Sequence, residues 1–258
     1  MTSLLLKIIA CVCMLLDHVG YVFGGELMWL RIIGRVAFPI FAFQLAVGYD
    51  KTRNLPRMLL RMGLFAIAAQ IPFYLMNNPD VLLTFSFSNL GQFLVSCYTS
   101  RLNVMFTLFC GLLCMLICDR VGSSPMPRAK SQLGQQLYHL LYVAIGIVLC
   151  LPLALIADKY LTDYGLWGVL LTMGFYVARK NKWLTALVLV LFTFSHASEL
   201  ASAHSFYFYA VCLGHLMALV PILLFNGEAG KPKMTYLFYV FYPAHMLLLA
   251  LLWTLTQV

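Results

Sequence analysis

Asp17 and His18 lie inside the first apolar stretch of this 258-residue chain, and Arg31 and Arg35 lie inside the second. The first stretch, Leu4–Phe23, is otherwise almost purely apolar. A charged side chain in lipid costs about 2.5–3.5 kcal/mol on insertion scales, so such groups are paired, face the protein interior and carry function. An imidazole beside an acid and two guanidiniums supplies a general base and stabilisation for developing negative charge. Only Gly24–Met28 connects the two stretches, and that hairpin brings the four side chains to one end.

Depth follows from helix rise. At 1.5 Å per residue, Asp17 and His18 lie roughly 8–9 Å below the boundary at Phe23. Arg35 lies about 9 Å below the boundary at Trp29, and Arg31 about 3 Å. Asp17, His18 and Arg35 are therefore nearly level on adjacent helices. Arg31 and Arg35 are spaced i, i+4 and share a face, whereas the neighbours Asp17 and His18 point about 100° apart and form no dyad. The expectation is that Asp17 holds Arg35 while His18 faces substrate. The alternative is an ion pair that only locks the hairpin, with His18 a satisfied core group.

Two prolines sharpen the picture. Pro39 clashes with the carbonyl four residues earlier, that of Arg35, so a freed carbonyl is expected beside the guanidinium. In the last apolar stretch, Phe238-Tyr-Val-Phe-Tyr-Pro-Ala-His245, Pro243 frees the carbonyl of Tyr239. His245 is a second candidate for proton transfer, or a buried imidazole bonded to a neighbouring carbonyl. Arg57 and Arg61, again i, i+4 and close to Lys51 and Arg53, could take the phosphates of an anionic cofactor. They also satisfy the positive-inside rule without any ligand.

The elements that carry these groups follow from composition. The chain is 62% hydrophobic and 10% charged, against about 25% charged in soluble domains, which makes it a membrane protein. Its mean hydropathy is +0.89. The expected fold is all-α and polytopic, a single integral-membrane domain over 1–258. Nine spans are expected: Leu4–Phe23, Trp29–Tyr49, Leu55–Met76, Asn103–Cys118, Leu137–Ile156, Gly165–Ala178, Trp183–Phe194, Phe206–Phe225 and Met234–Thr256. Leu4–Phe23 is too long for the apolar core of a signal peptide and has no small-residue cleavage site after it, so it reads as a retained span. With the N-terminus inside, thirteen of the seventeen basic residues fall at cytoplasmic ends, Arg128, Lys130 and Lys233 among them. The expected orientation is N-in and C-out, in the inner (cytoplasmic) membrane, in contact with lipid. The formal charge of +8 is spread as short clusters between spans, which argues against nucleic acid as a partner.

Val81–Ser100 is apolar but dotted with Ser, Thr, Asn and Gln, and reads as an outer re-entrant or interfacial segment rather than a tenth span. Asp119–Gln136 reads as a flexible cytoplasmic loop. Cys110, Cys114 and Cys118 share a helix face, with helix packing as the default role. His196, Glu199 and His204 fall in an expected outer loop, where solvation is the default and no metal is expected. The sequence carries no Walker loop, dinucleotide fingerprint, nucleophile elbow or zincin motif.

Six segments, in order along the chain, give a resemblance. They are Leu16-Asp-His18, Gly34-Arg-Val-Ala-Phe-Pro-Ile-Phe-Ala42, Asn103-Val-Met-Phe-Thr-Leu108, Asp163-Tyr-Gly-Leu-Trp-Gly168, Asn226-Gly-Glu-Ala-Gly230 and Phe238–His245. With these segments the chain resembles the TraX family of multi-span membrane proteins, named for an F-plasmid pilin acetylase. It is similar, more remotely, to transmembrane acyltransferases that pass an acyl group from cytoplasmic CoA to an outer acceptor. The resemblance implies an acetyltransferase with acetyl-CoA as donor. Its acceptor would be a membrane-inserted pilin-like peptide or a surface glycan or lipid. It departs from the family in the long Val81–Ser100 insert and in starting directly at the first span.

On this reading His18 is the base, Arg35 oriented by Asp17 stabilises the oxyanion, and His245 is a second proton carrier or positioning group. Arg31, Arg57, Arg61 and Asn103 are assigned to the donor, and Tyr164, Tyr242 and Asn226 to the acceptor. The alternatives are a proton-coupled transporter, which would use the same groups as a relay, and a non-catalytic membrane assembly factor.

Overall fold

A computed structural model describes residues 1–122, 132–159, 162–200, 205–231 and 235–257. His204, Arg128, Lys130 and Lys233 lie outside the described residues. Among those described, the regular structure is entirely helical. In chain order the helices are α1 (Ser3–Phe23), α2 (Leu30–Gly34), α3 (Ala37–Lys51), α4 (Leu55–Asn77), α5 (Val81–Thr84), α6 (Leu90–Thr99) and α7 (Val104–Gly122). They continue as α8 (Gln132–Lys159), α9 (Gly165–Ala178), α10 (Lys182–Leu200), α11 (Ser205–Met217), α12 (Leu219–Leu223) and α13 (Thr235–Leu255).

Five of the described helical segments are long and apolar enough to cross a membrane: Ser3–Phe23, Gly25–Lys51, Leu55–Asn77, Val104–Gly122 and Phe238–Leu255. Gly165–Ala178, Lys182–His196 and Cys212–Leu223 are apolar but shorter. The molecule is thus a helical protein with five candidate membrane-spanning segments among the described residues. The Val81–Ser100 insert forms α5, a 3-10 turn and α6. The ten residues of α6 reach only about 15 Å, half of a bilayer core.

Local chemistry sets the helix ends. Asn54 caps α4 by accepting from the Arg57 N–H at 2.9 Å, and Asn103 caps α7 by accepting from the Met105 N–H at 3.0 Å. α1 stops at Gly24, which with Gly25 takes φ of +54°, a turn that side-chain-bearing residues rarely make. The second span is broken between α2 and α3, where Arg35 and Val36 are turn residues. Pro39 lies four residues past Arg35 and has no N–H to offer its carbonyl, which places the break where the sequence puts it.

The site lies where α1 packs against α2, α3 and α13. α9 packs on α3 and α7, and α11 on α2. At the N-terminal end the Asn226–Gly230 loop closes on the chain start. The Ser3 N–H donates to Glu228 O at 2.8 Å, the Asn226 N–H to Met1 O at 3.0 Å, and the Lys51 ammonium to Gly227 O.

Candidate functional site

Gly34 decides how close α1 comes to α2. A Cβ there would run into the Cβ of Asp17 and lie 2.6 Å from its Cα and Oδ1. The contact leaves room for nothing larger than hydrogen, and it places the Asp17 carboxylate against the helix break. Asp17 Oδ1 lies 3.3 Å from Arg35 Nη2 and 3.6 Å from Arg31 Nε, and Arg35 Nη2 donates to Oδ2 at 3.3 Å. The three side chains are 11–16% exposed, so this is a nearly buried pair of guanidiniums on one carboxylate. Removing one partner of such a group leaves the other charge uncompensated, at a cost of about 3–5 kcal/mol. Arg31 also lies over the Tyr21 ring, 4.9 Å from its centroid.

Arg35 has a further partner. Its Nη1 donates to the Tyr164 hydroxyl at 3.3 Å. Tyr164 has φ of +69°, a left-handed conformation that costs a non-glycine residue about 1–3 kcal/mol and collects at functional sites. Its ring stacks on Phe38 at 3.8 Å, and Gly168 makes room, since a Cβ there would come within 3.0 Å of both residues. The Arg35 carbonyl freed by Pro39 was the expected polar feature here; the break itself and the Tyr164 hydroxyl are the features that fix the guanidinium.

His18 meets His245. His18 Nδ1 lies 2.7 Å from His245 Nε2, and His245 Nδ1 lies 2.7 Å from the Phe241 carbonyl oxygen. The carbonyl only accepts, so with neutral rings His245 Nδ1 carries its proton and its Nε2 accepts. His18 Nδ1 is then the donor, and His18 Nε2 is left with a lone pair, an assignment made from the hydrogen-bond network. A carbonyl–imidazole–imidazole chain therefore fixes the tautomer in which His18 can act as a base.

Two cavities surround this group. A small chamber of about 40 Å³ is lined by Asp17, His18, Gly34, Phe38, Asp163 and Tyr164, among others. A larger cavity of about 300 Å³ has Lys7, Lys51 and Arg61 in its wall, with Gln44, Met58 and Phe238 between them. Met14, Phe41, Val104, Leu108 and Tyr242 line both. Gln44 is buried, and its Oε1 accepts from the Ser3 hydroxyl. Its Nε2 is buried and has no hydrogen-bond partner among the described residues, and the residue lines the large cavity.

The residues named from sequence are distributed unevenly. Asp17, His18, Arg35, His245 and Tyr164 come together, and Tyr242 borders both cavities. Arg61 lines the large cavity and lies over Tyr239, 4.9 Å from its ring centroid. Arg57 is exposed and outside the lining. Arg31 belongs to the Asp17 cluster instead of the Lys51–Arg61 group. Asn103 is fully buried and lines neither cavity; it bonds the Ala66 carbonyl at 2.8 Å and Gln70 Oε1 at 2.9 Å. Asn226 is at the N-terminal end, bonded to Glu228 at 3.0 Å, away from Tyr164. His196 is not in a loop, because α10 runs on to Leu200; its ring packs against Tyr164, Phe192 and His215 at 5.5–5.7 Å.

Sequence reading missed Gln70 and gave Asp163 no role. Gln70 is fully buried and donates to the carbonyls of Cys97 and Arg101 at 2.8 and 3.0 Å. Asp163 pairs with Arg101 at 3.0 Å while lining the small chamber. A lone amide in an apolar helix was the available signal for Gln70.

No solved structure matches the chain. A probable fimbrial assembly protein FimC, serogroup H1, of Dichelobacter nodosus is 28% identical over 258 residues, covering 95% of this chain and 92% of that protein. Protein TraX of Escherichia coli is 30% identical over 98 residues, covering 37% of this chain and 40% of that protein. The family profile described as TraX protein matches residues 3–253, and the chain, with its buried Asp17–Arg35 pair and His18–His245 bond inside that range, belongs to the TraX family.

Proposed function

We propose that this protein is a membrane acetyltransferase that moves an acetyl group from acetyl-CoA to an amine or hydroxyl acceptor. The observation that carries the reading is the Phe241–His245–His18 chain, which leaves a lone pair on an imidazole whose residue lines a chamber that shares lining residues with a basic-rimmed cavity.

His18 Nε2 takes the proton of the acceptor N–H or O–H as that nitrogen or oxygen attacks the thioester carbonyl. The bond to the acyl carbon forms, the carbon–sulfur bond breaks, and the leaving thiolate takes up a proton as the CoA thiol. Arg35, held by Asp17 and Tyr164, which line the chamber, is assigned to stabilise the negative charge that grows on the carbonyl oxygen. Lys7, Lys51 and Arg61 receive the donor's phosphates, and the unpartnered Gln44 amide meets an amide carbonyl of its arm. At about 300 Å³ the cavity lies at the lower end of the range of small-ligand sites.

In this reading the chain has nine spans, N-in and C-out, in the cytoplasmic membrane. The donor enters from the cytoplasm, and the acceptor, a pilin-like peptide or a surface glycan or lipid, meets His18 from the outer side. The test is purified protein with labelled acetyl-CoA. Wild type transfers label or hydrolyses the thioester, and His18→Ala lowers both about 100- to 10,000-fold while staying in the membrane. Full activity in His18→Ala overturns the assignment.

The name of the Dichelobacter relative favours a second reading, a non-catalytic assembly factor. That protein would leave the thioester intact in the same assay.

A further inference from the structure

Of the five described residues that line both cavities, Met14, Phe41, Val104 and Leu108 are apolar, and Tyr242 alone carries a hydroxyl. Tyr242 is buried, one turn of α13 before His245. The start of α7 fixes where its hydroxyl lies. The first N–H groups of a helix have no partner within that helix. Asn103 Oδ1 accepts from the Met105 N–H at 3.0 Å, Asn103 O accepts from the Phe106 N–H at 3.1 Å, and the Tyr242 hydroxyl accepts from the Val104 N–H. Val104 and Tyr242 thus meet at the wall that both share between the cavities. Asn103 is itself held there, because its N–H donates to Gln70 Oε1 at 3.0 Å. The bond from Val104 uses the Tyr242 oxygen as acceptor and leaves the O–H to donate.

We propose that Tyr242 is the acid that protonates the leaving thiolate. This rests on the acyl-transfer reading above, in which the donor's arm occupies the large cavity and its carbonyl meets His18 in the chamber. The sulfur joins those two parts, so it passes the wall that the cavities share. A thiolate expelled there faces Met14, Phe41 and Leu108, and an unsolvated charge in apolar surroundings is costly unless it is neutralised. Tyr164, the other hydroxyl of the chamber, lines that side only and accepts from Arg35. The step balances. The acceptor's proton goes to His18 Nε2, the electron pair of the carbon–sulfur bond leaves on sulfur, and the Tyr242 proton goes to that sulfur to give the CoA thiol. The phenolate that remains is stabilised by the Val104 N–H and the positive end of α7. It recovers a proton from the His18 imidazolium through the chamber that both residues line, which returns both to their starting state.

The test compares two acetyl donors on the purified full chain in detergent, with water as acceptor. Acetyl-CoA releases a strongly basic alkyl thiolate that gains from an acid. S-(4-nitrophenyl) thioacetate releases a weakly basic aryl thiolate that departs without one. Tyr242→Phe is expected to lower the ratio of the acetyl-CoA rate to the aryl thioester rate at least about 100-fold. His18→Ala, which removes the base for either donor, lowers both rates and leaves that ratio near the wild-type value. Tyr242→Gln keeps a carbonyl that can accept from the Val104 N–H but has no acidic hydroxyl. It should shift the ratio as the Phe variant does, and it serves where that variant fails to fold by gel filtration. An unchanged ratio in the folded variants overturns the proposal, as does recovery of the wild-type ratio in Tyr242→Gln, which would mean that Tyr242 only holds the start of α7. Wild type that leaves acetyl-CoA intact overturns the acyl-transfer reading itself, a result distinguishable from either of those.

Discussion

His18 and His245 are 227 residues apart in sequence and 2.7 Å apart in space, with rings nearly parallel at 7°. The bond joins the first helix to the last. It also does more than join them, because the Phe241 carbonyl behind His245 determines which His18 nitrogen holds the proton. Removing His245 should therefore cost activity through the tautomer of His18, with the helix bundle intact. His245→Phe is expected to lower acetyl transfer at least about 100-fold, by analogy with other residues that orient a catalytic imidazole. His245→Gln keeps a carbonyl that can accept from His18 Nδ1 and should recover part of that loss. His18→Ala, which removes the base itself, should cost about 100- to 10,000-fold. Equal rates for the Phe and Gln variants, measured with labelled acetyl-CoA, would rule out the orienting role.

The Asp17–Arg35–Tyr164 chain makes a prediction about stability. Asp17→Asn removes the charge that two buried guanidiniums share, and a loss of about 3–5 kcal/mol is expected. Tyr164→Phe removes one neutral acceptor of a charged donor, worth about 1.5–3 kcal/mol. Both groups bond the same guanidinium, so their effects should not add. Denaturant unfolding in detergent of the two single variants and the double variant checks this. Strict additivity would mean that Arg35 does not couple them.

How much of this was legible in sequence varies with distance along the chain. The level placement of Asp17 and Arg35 follows from helix rise across one short hairpin, and the interruption at Arg35 follows from Pro39 four residues on. The His18–His245 bond does not follow, since each imidazole could be satisfied locally and nothing periodic links the first helix to the last. The resemblance assigns Arg31 to the donor with Arg57 and Arg61, and Asn226 to the acceptor with Tyr164. Chain reversals at Gly24 and at the Asn226–Gly230 loop put Arg31 and Asn226 at opposite ends of the bundle. The polar segment after Phe194 predicts a solvated His196, yet α10 continues and turns the ring inward onto Phe192 and Tyr164. Composition marked the stretches apolar enough for lipid, but whether a short one such as Gly165–Ala178 crosses a bilayer depends on its tilt and neighbours.

Glycine packing gives a sharp contrast within one chain. Gly34→Ala forces a Cβ into Asp17, backbone and side chain alike, so α1 and α2 must separate. Overpacking of this kind costs about 1–3 kcal/mol. It should also lower activity more than the stability loss explains, because the displaced residue is the one that holds Arg35. Gly91→Ala, on α6 with open space around it, is the control and should be neutral or stabilising by up to about 1 kcal/mol. Thermal unfolding of both variants, compared with their acetyl transfer rates, checks the pair of expectations. A neutral Gly34→Ala would contradict the close approach of α1 and α2.

Gln44 offers the most direct probe of how a donor would be held. Its Oε1 is committed to the Ser3 hydroxyl, its Nε2 has no partner among the described residues, and the residue lines the large cavity. An unpartnered buried donor is a cost to the empty protein that a ligand carbonyl can relieve, and one such hydrogen bond contributes about 0.5–1.5 kcal/mol. Gln44→Leu should accordingly raise the KM for acetyl-CoA about two- to tenfold and leave kcat near wild type, because the contact is to the donor's arm and is present before and during the reaction. Lys51→Ala should raise KM as well, but its effect should shrink as salt is added, since the lost interaction is with phosphate charge at an exposed rim. The Gln44 effect should be insensitive to salt. Measuring both KM values between 50 and 500 mM salt separates an amide contact inside the cavity from attraction at its mouth, and a salt-dependent Gln44→Leu would place the amide outside the donor's path.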